Sequence, residues 1–514
     1  MAIPSKQIGW GTESNLLWQI AKQIQYLTNV TASSGGGGSS PFRYNTNATG
    51  IEPCLGSNNA SGTYATIGGG LLNCATGYVS TVGGGTCNIT NSRFSTINGG
   101  QRNIIQSPTN ECCSLGVTIG GGIGHNTTGG VLNVITGDLT GAITCCNAGK
   151  LSTIGGGLLN CVTGACSTIG GGYQNTASGS RSTIGGGKFN VSCGILSFIG
   201  GGCCNVASGF SFSTIGGGCG NTASGSVSTI GGGRNNTASG RYSKIGGGKC
   251  NTASAFYSSV SGGWCNITNS RHSTIAGGQR NIIQSPTNEC CSFGVTIGGG
   301  IGHNTTGGVL SATTGDLTGV ITCCNAGKLS TIGGGLLNCA TGACSTIGGG
   351  TLNTASNIGS TVGGGSCNTA SGCCSTVGGG RYNTASGNRS IIGGGNLNIV
   401  SGGGSFVGGG NCNNISTNYA TIGGGYKNCA SGSISFIGGG GLNVASSTYS
   451  AILGGQLNST ATCACAMIVG SNITADRVCA TFVNNLSIKN IPTTSAGLPS
   501  GSVWKNGAVL NIVP

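Results

Sequence analysis

Charged and aromatic side chains are scarce in this chain. Of its 514 residues only 5% are charged and 5% are aromatic, whereas 109 are glycine. Ordinary globular domains carry about 25% charged residues, and a chain so poor in large apolar rings does not fill one broad hydrophobic core. Ile, Val, Ala, Ser, Thr and Asn recur instead, which predicts a long, narrow core built of many thin layers, each burying one or two small side chains.

Acidic residues are the rarest charged type. Seven Asp and Glu stand against 21 Lys and Arg, a formal net charge of +14, and the basic residues are spread along the chain. This balance keeps an elongated molecule soluble, and it also favours an anionic partner such as an acidic glycan, lipopolysaccharide or capsule. Nucleic acid is not an expected partner, because no segment interleaves Arg and Lys with aromatic residues on one face.

Long apolar runs are missing as well. The opening MAIPSKQIGWGTESNLLWQIAK lacks the continuous apolar centre of a signal peptide, and no segment approaches the length of a membrane span. Membrane insertion is therefore not expected. A conventionally secreted, membrane-anchored adhesin is disfavoured for the same reason.

The 29 cysteines are an odd number, include vicinal pairs such as Cys112-Cys113 and Cys373-Cys374, and show no metal-ligand spacing that repeats in register with His. They do not predict a zinc protein. No glycine-rich segment qualifies as a phosphate loop either, since Gly occurs in every repeat and none of the matches ends in G-K-S/T before a helix. We therefore predict no cofactor and no metal ion.

A repeat of 15 residues, S-T-I-G-G-G-x-x-N-T-A-S-G-x-x, is what the sequence has in abundance, and it starts near Ile67. One Ile or Val in each repeat, here called the anchor, keeps its register, which a flexible Gly/Ser linker would not do. The anchors include Ile154, Ile169, Ile184, Ile199, Ile215, Ile230, Ile245, Val260 and Ile275, and then Ile332, Ile347, Val362, Val377, Ile392, Val407, Ile422, Ile437 and Ile452.

The repeat length predicts the fold. A circuit of 15 extended residues closes into one coil of short strands, and coils stack about 4.8 Å apart through backbone hydrogen bonds. We predict an all-β protein, a parallel β-solenoid or β-roll of about two dozen such coils, with a short N-terminal helix and a small C-terminal β segment. The glycine triplet after each anchor indicates a corner, where positive φ or close backbone approach excludes a Cβ.

An Asn stands six residues after the anchor in almost every repeat. Stacked in register, these residues are predicted to form a structural amide ladder, each side chain satisfying the next coil or a turn backbone group. The predicted ladder comprises Asn160, Asn175, Asn190, Asn205, Asn221, Asn236, Asn251 and Asn266.

Charges such as Lys188, Arg234 and Arg241 recur four, five, eleven or twelve residues after an anchor, so these positions are predicted to face outward. Many cysteines share them. Cys204 with Cys219, and Cys250 with Cys265, are expected on neighbouring coils within the Cα range that a disulfide tolerates. Disulfides suit an oxidising environment, and free thiols packed as small apolar groups are the equal alternative.

The S-T-I-G-G-G and T-A-S-G elements, over residues 61–470, resemble the head repeats of trimeric autotransporter adhesins. In that family S-x-A-I-G-x-x-A-x-A-x-G units build left-handed parallel β-rolls that associate as trimers. The resemblance implies a β-roll and a homotrimer. A self-sufficient solenoid that encloses its own anchors is the competing picture.

The two ends depart from the repeat. Residues 12–29 are predicted to form one helix with apolar 3-4-3 spacing, which either starts a three-chain seam or docks into another structural protein. Both termini resemble those of viral, phage-like fibre and structural proteins. The matching residues are Lys6, Gln7, Gly9, Trp10, Glu13 and Trp18 at the start, and Ala496, Gly497, Leu498, Pro499, Gly501, Trp504, Gly507, Leu510 and Ile512 at the end.

One block of the chain is duplicated. Residues 80–172 recur at 258–350 with a constant offset of 178, including insertions that break the repeat. The insertions are predicted to loop off the solenoid, and loops on a rigid scaffold are where recognition usually lies. The candidate receptor-contact residues in them are Pro108, Glu111, His125 and Asp138, with the copies Pro286, Glu289, His303 and Asp316.

These patterns predict four regions: an anchoring helix at 1–32, a Gly/Ser linker and lead-in at 33–60, the solenoid shaft at 61–470 and a C-terminal cap at 471–514. We expect a structural fibre at the surface of a virion that attaches to a host glycan or protein receptor, is held to other virion proteins by the N-terminal helix, and is not an enzyme. An extracellular adhesin or filament of a cell is the alternative.

Two further functions would each rest on one feature of the sequence. A glycan depolymerase would pair Glu111 with Asp138, and Glu289 with Asp316, near the two histidines, but aromatic sugar platforms are scarce. An ice-binding solenoid would use the Thr before each anchor. That row is interrupted by Phe198, Lys244 and Phe406.

Overall fold

The structure, a computed structural model, describes residues 42–44, 51–53, 57–107, 114–132, 139–145, 147–285, 292–311, 313–314, 316–323, 325–485, 491–506 and 509–513. Every regular element in these residues is a β-strand, which confirms the all-β class. The predicted helix at residues 12–29 lies outside the described ranges. Within them, no helix is long and apolar enough to cross a membrane. The chain divides into two compact units, Met1–Gly278 and Gln279–Pro514.

Each coil is built from an anchor strand and a second strand, both usually two residues long. In the anchor strand Thr168–Ile169 the Thr is half-buried and the Ile is buried, because successive side chains of a strand point to opposite faces. The strand pairs in parallel with Thr153–Ile154 below and Thr183–Ile184 above, Ile opposite Ile. The repeat of 15 residues therefore becomes a repeat of stacked coils, and the predicted parallel β-solenoid is confirmed within each unit.

In the first unit an antiparallel pair, Phe42–Tyr44 with Ile51–Pro53, precedes the coils. The anchor strands of this unit are Thr66–Ile67, Thr81–Val82, Thr96–Ile97, Thr118–Ile119, Thr153–Ile154, Thr168–Ile169, Thr183–Ile184, Phe198–Ile199, Thr214–Ile215, Thr229–Ile230, Lys244–Ile245, Ser259–Val260 and Thr274–Ile275. The second strands are Cys74–Ala75, Ile89–Thr90, Ile104–Ile105, Cys161–Val162, Thr176–Ala177, Val191–Ser192, Val206–Ala207, Thr222–Ala223, Thr237–Ala238, Thr252–Ala253 and Ile267–Thr268.

The second unit repeats this plan, and its coil stacking continues to Val483, beyond residue 470. Its anchor strands are Thr296–Ile297, Thr331–Ile332, Thr346–Ile347, Thr361–Val362, Thr376–Val377, Ile391–Ile392, Phe406–Val407, Thr421–Ile422, Phe436–Ile437, Ala451–Ile452, Met467–Val469 and Thr481–Val483. The second strands are Ile282–Ile283, Cys339–Ala340, Thr354–Ala355, Thr369–Ala370, Thr384–Ala385, Ile399–Val400, Asn414–Ile415, Cys429–Ala430 and Val444–Ala445. A C-terminal hairpin pairs Val503–Asn506 with Val509–Ile512.

The core of a coil contains few side chains. In the coil anchored by Ile169, the Ile, Asn175 and Ala177 are fully buried, as is Ser167 two residues before the anchor. The hydroxyl of Ser167 donates to the carbonyl of Gly164 at 2.6 Å, which closes the preceding turn. Because the anchors are already buried within the single chain, no second chain is needed to cover them.

Two corner positions of each coil adopt the left-handed backbone region although most are not glycine. They lie five residues after an anchor and three before the next, as at Gln174 (φ 49°) and Arg181 (φ 56°). An isolated L-residue pays roughly 1–2 kcal/mol for this conformation. Here stacking holds it, since Gln174 N donates to Leu158 O and Arg181 N donates to Ala165 O in the coil below.

The insertions leave the coil ladder unbroken. Thr118 pairs directly with Thr153 although the insertion separates them in sequence, and Thr296 pairs in the same way with Thr331. Part of each insertion forms an antiparallel hairpin, Thr127–Leu132 with Leu139–Cys145 in the first unit and Thr305–Leu310 with Leu317–Cys323 in the second. The coils thus stack past each hairpin as if it were absent.

Candidate functional site

The asparagine six residues after the anchor joins each coil to both of its neighbours. Asn175 Nδ2 donates to Gly171 O in its own coil at 3.1 Å, to Gly187 O in the next coil at 2.9 Å and to Asn160 Oδ1 in the preceding one at 3.1 Å. Its Oδ1 accepts from the backbone N of Asn190 at 3.0 Å. The side chain therefore uses both its donor and its acceptor atoms without water.

The same geometry recurs along the predicted ladder. Each of its members is fully buried, and each donates through Nδ2 to a glycine carbonyl of its own corner and to one of the next coil. The members are Asn160, Asn175, Asn190, Asn205, Asn221, Asn236, Asn251 and Asn266. These amides therefore hold successive coils together.

His125 and His303 occupy ladder positions and not the loops. Each is fully buried, so the prediction that they contact a receptor is wrong: they lie six residues after the anchors Ile119 and Ile297, where an Asn normally stands. His125 N donates to Asn103 Oδ1 at 3.0 Å, and its Nδ1 accepts from Asn160 N at 3.1 Å. The insertion starts immediately after them, which hid this register from the sequence pattern.

The buried imidazoles are neutral near pH 7. Burial lowers the pKa of His125 and of His303 to about 4, against smaller opposing effects of the neighbouring backbone groups. Nε2 of His125 is buried and has no hydrogen-bond partner among the described residues. Since Nδ1 must accept from Asn160, the proton belongs on Nε2.

Of the other candidate loop residues, only Asp316 falls in the described part of the chain. Pro108, Glu111, Asp138, Pro286 and Glu289 lie outside it. Asp316 is half-buried directly before the second strand of the second hairpin, and its Oδ1 accepts from Gln279 Nε2 at 3.0 Å. The carboxylate pairs proposed for a depolymerase therefore stay untested predictions.

An arginine side chain holds each hairpin against the coils through a hydrogen bond. Arg102 Nη1 donates to Leu139 O at 2.7 Å, and Arg280 Nη1 donates to Leu317 O at 2.8 Å. Both leucines are buried. Leu139 pairs with Leu132 and Leu317 pairs with Leu310, at the end where the two strands of each hairpin are connected, so the arginine holds that end of the hairpin against the coils.

Aromatic residues gather on the outer corners of the first unit, although they are scarce in the chain as a whole. Tyr242, Tyr257 and His272 stack in file on successive coils, with ring centroids 4.7 and 5.2 Å apart. The Arg241 guanidinium lies 4.9 Å from the centroid of the Tyr242 ring. Because the ring faces cover one another, the stack stabilises the corner and leaves few open faces for a sugar.

Thiols also stack along one side of the first unit. The backbones of Cys203 and Cys219 form a parallel β-bridge between adjacent coils. Lys188 precedes them and Arg234 follows them in the same row of β-bridged residues. Cys203 Sγ lies 3.0 Å from Cys204 Sγ, and this contact, followed by burial, raises the pKa of the Cys203 thiol. For the pair Cys250 and Cys265, Cys265 N donates to Lys249 O at 2.8 Å. This register places the two cysteines one coil apart, about 4.8 Å, a spacing that a disulfide tolerates.

The described residues contain no group of three or more His, Cys, Asp or Glu placed to hold a metal ion. What they do contain is a stacked scaffold with clasped hairpins and exposed corner side chains. Comparison of the chain with protein-family models and with curated proteins found no match.

Proposed function

We propose that this chain is a structural fibre protein of a virus particle, whose β-solenoid shaft mediates attachment to the host surface. The observation that carries the proposal is the contrast between the inward and the outward positions of each coil. The inward positions repeat and serve only stacking, as Ile169, Asn175 and Ala177 show. The outward positions vary from coil to coil. One row of residues joined by parallel β-bridges between successive coils consists of Lys188, Cys203, Cys219, Arg234, Lys249 and Trp264.

A rigid scaffold that displays variable side chains suits attachment, because recognition residues work best on a support that does not rearrange. The hairpin of Thr305–Leu310 and Leu317–Cys323 adds residues outside the repeat to this display, and Arg280 holds its connected end against the coils through Leu317 O. The viral-type termini of the sequence support a virion setting over a cell-surface one.

The proposal includes a homotrimer. The anchors need no partner chain, so the support comes from apolar side chains that the single chain leaves exposed. In the second unit the residue before the anchor is Ile391, Phe406 or Phe436 in three coils, with exposures of 42%, 40% and 39%. Rows of such residues on a flat strand face are typical of surfaces that associate with further copies.

Immunogold electron microscopy tests the proposal. Antibodies raised against the hairpin at residues 305–323 are applied to virus particles purified from cultures that express the chain. Label on projections of the particle is expected, and blocking of particle adsorption by the same antibody should follow. An antibody against the C-terminal residues 491–506 serves as the matched control for access. Label on cell surfaces with none on particles would contradict the proposal and favour the cellular adhesin.

A further inference from the structure

A groove of about 580 Å³ crosses four successive coils of the second unit. Its walls come from the outer corner that precedes each anchor strand, and the residues that matter for its chemistry are Asn388, Arg389, Asn418 and Tyr419. The volume lies within the roughly 300–1,000 Å³ range of small-molecule sites.

The groove exists because one coil lacks side chains where its neighbours have them. Gly403 and Gly404 stand between Asn388-Arg389 on one side and Asn418-Tyr419 on the other, and the backbone ladder runs on through them: Gly404 N donates to Asn388 O at 2.8 Å, and Tyr419 N donates to Gly403 O at 2.9 Å. Removing two side chains from one coil of a regular stack leaves a notch one coil wide.

The backbone does not require glycine at this notch. Gly404 has φ 65°, but Arg389 and Tyr419 adopt φ 58° and 59° at the same position of the adjacent coils. A side chain at Gly404 would clash with the Tyr419 ring, because a Cβ there would lie 2.9 Å from Tyr419 Cδ1. The glycine therefore makes room for the tyrosine ring, which lies along the notch.

The groove is lined by polar, basic and small residues and has no acidic side chain. The Asn388 Oδ1 accepts from Cys373 N at 3.0 Å and the Asn418 Oδ1 accepts from Gly403 N at 2.7 Å. Each amide is thereby oriented with its oxygen toward the backbone, which leaves its NH₂ group for a ligand. Within the described residues, the Arg389 guanidinium is paired with no carboxylate.

We propose that this groove binds an acidic sugar through its carboxylate. Arg389 supplies the forked guanidinium that matches a carboxylate, the amides of Asn388 and Asn418 donate to hydroxyl oxygens, and the exposed ring of Tyr419 packs against the apolar face of the sugar. The net charge of +14 attracts such a ligand from a distance. This inference rests on the proposed attachment function and assigns that function a ligand class and a site.

Calorimetric titration of the full chain tests the site with three probes: tetragalacturonate, its uncharged methyl ester and a heparin tetrasaccharide. Wild-type protein is expected to bind tetragalacturonate and to bind the ester much more weakly. Arg389→Gln should weaken tetragalacturonate binding about tenfold or more, because a charge-assisted bidentate contact is lost. Arg381→Gln, which removes the same charge beside the Tyr382 ring on another face, should change it less than about twofold.

Filling the notch gives an independent variant. Gly404→Leu keeps the backbone, since Leu196 adopts φ 55° at the equivalent position, but it occupies the groove. The matched control is Gly359→Leu, at the same corner position with φ 63° and outside the groove lining. Loss of tetragalacturonate binding with Gly404→Leu alone is expected, with unchanged circular dichroism in both variants.

Several outcomes would overturn the inference: no binding of tetragalacturonate by the wild type, equal weakening by Arg381→Gln, equal binding of the methyl ester, or tighter Arg389-dependent binding of the sulfated probe. Cell attachment separates this inference from the function on which it rests. Attachment that Arg389→Gln leaves unchanged overturns the site while the fibre function stands. Sugar binding without any attachment upholds the site and overturns the function.

Discussion

At the scale of single residues, the ladder asparagine is the least replaceable side chain of the coil. Asn236 Nδ2 donates to Gly232 O, Gly248 O and Asn221 Oδ1, while its Oδ1 accepts from the next coil. Buried polar atoms that lose their partners cost about 1–3 kcal/mol each. Removing this amide therefore leaves several buried polar groups without a hydrogen-bond partner, and it affects both adjacent coils.

The first prediction compares two neighbouring asparagines. Asn236→Asp places a carboxylate against two glycine carbonyl oxygens in a fully buried site, and we expect a local cost of about 3 kcal/mol or more. Asn235 is exposed, so Asn235→Asp makes the same chemical change with an expected effect within about 0.5 kcal/mol. Hydrogen–deuterium exchange at the Asn251 amide measures both. Similar exchange in the two variants would refute the ladder's role.

The buried histidines predict an acid-sensitive step. Their pKa is about 4 in the folded chain against 6.5 for the free side chain, so the unfolded state binds more protons between these values. Stability is therefore highest above pH 6.5, falls as the pH drops from 6.5 to 4 and levels off below that. Each histidine accounts for about 3 kcal/mol at most.

This second prediction is checked by urea unfolding across that pH window. The double variant His125→Asn, His303→Asn restores the usual ladder residue and should flatten the curve between pH 6.5 and 4. The control is His272→Asn at an exposed position, which should keep the fall in stability between pH 6.5 and 4. A curve that the double variant does not alter would show that other groups cause the acid sensitivity.

At the scale of elements, coil stacking depends on two of the three corner glycines. A Cβ on Gly172 would overlap the carbonyl oxygen of Gly187, and its φ of 94° disfavours any side chain. A Cβ on Gly170 would overlap Gly185 O. The middle residue, Gly171, has only Gly156 O near it, at 3.9 Å. Close approach between coils therefore explains the first and third glycines.

The third prediction separates these glycines. Gly172→Ala should destabilise its coils by about 2–4 kcal/mol, because the clash is with backbone that cannot move without breaking the ladder. Gly171→Ala should be neutral or stabilise by up to about 1 kcal/mol, since it restricts the unfolded chain. Thermal unfolding with local hydrogen exchange provides the measurement. Equal destabilisation by both alanines would mean that the middle glycine meets something outside the single chain.

At the scale of the whole molecule, the fourth prediction is that the protein is a homotrimer. Mass photometry should give a species of about three times the chain mass of 49.8 kDa. The triple variant Ile391→Ser, Phe406→Ser, Phe436→Ser removes exposed apolar side chains without touching the core, and it should shift this species toward the monomer because association rests on apolar burial.

Ile434→Ser with Tyr449→Ser changes exposed apolar residues of the outer corner and should leave the mass unchanged. A wild-type preparation with a single species at 49.8 kDa would show that the trimer is wrong. The solenoid would then be self-sufficient, as the burial of its anchors within one chain already allows.

The sequence by itself determined the coil. An apolar anchor, an Asn and a glycine triplet in fixed register leave stacked parallel strands as the arrangement in which Ile169 is buried and Asn175 is satisfied. The prediction succeeded because the solenoid is nearly one-dimensional: each coil contacts mainly the next, so sequence spacing and spatial neighbourhood are the same quantity.

Only the tertiary structure decided the features that depend on side-chain size and backbone strain. It placed His125 inside the ladder, held Gln174 and Arg181 in left-handed conformations, and laid the Tyr419 ring over Gly404. The repeat pattern records which residues are neighbours, but not which of them fill the space between coils. That outcome follows from packing and hydrogen bonding in three dimensions, where one missing Cβ creates a groove and one buried imidazole replaces an amide.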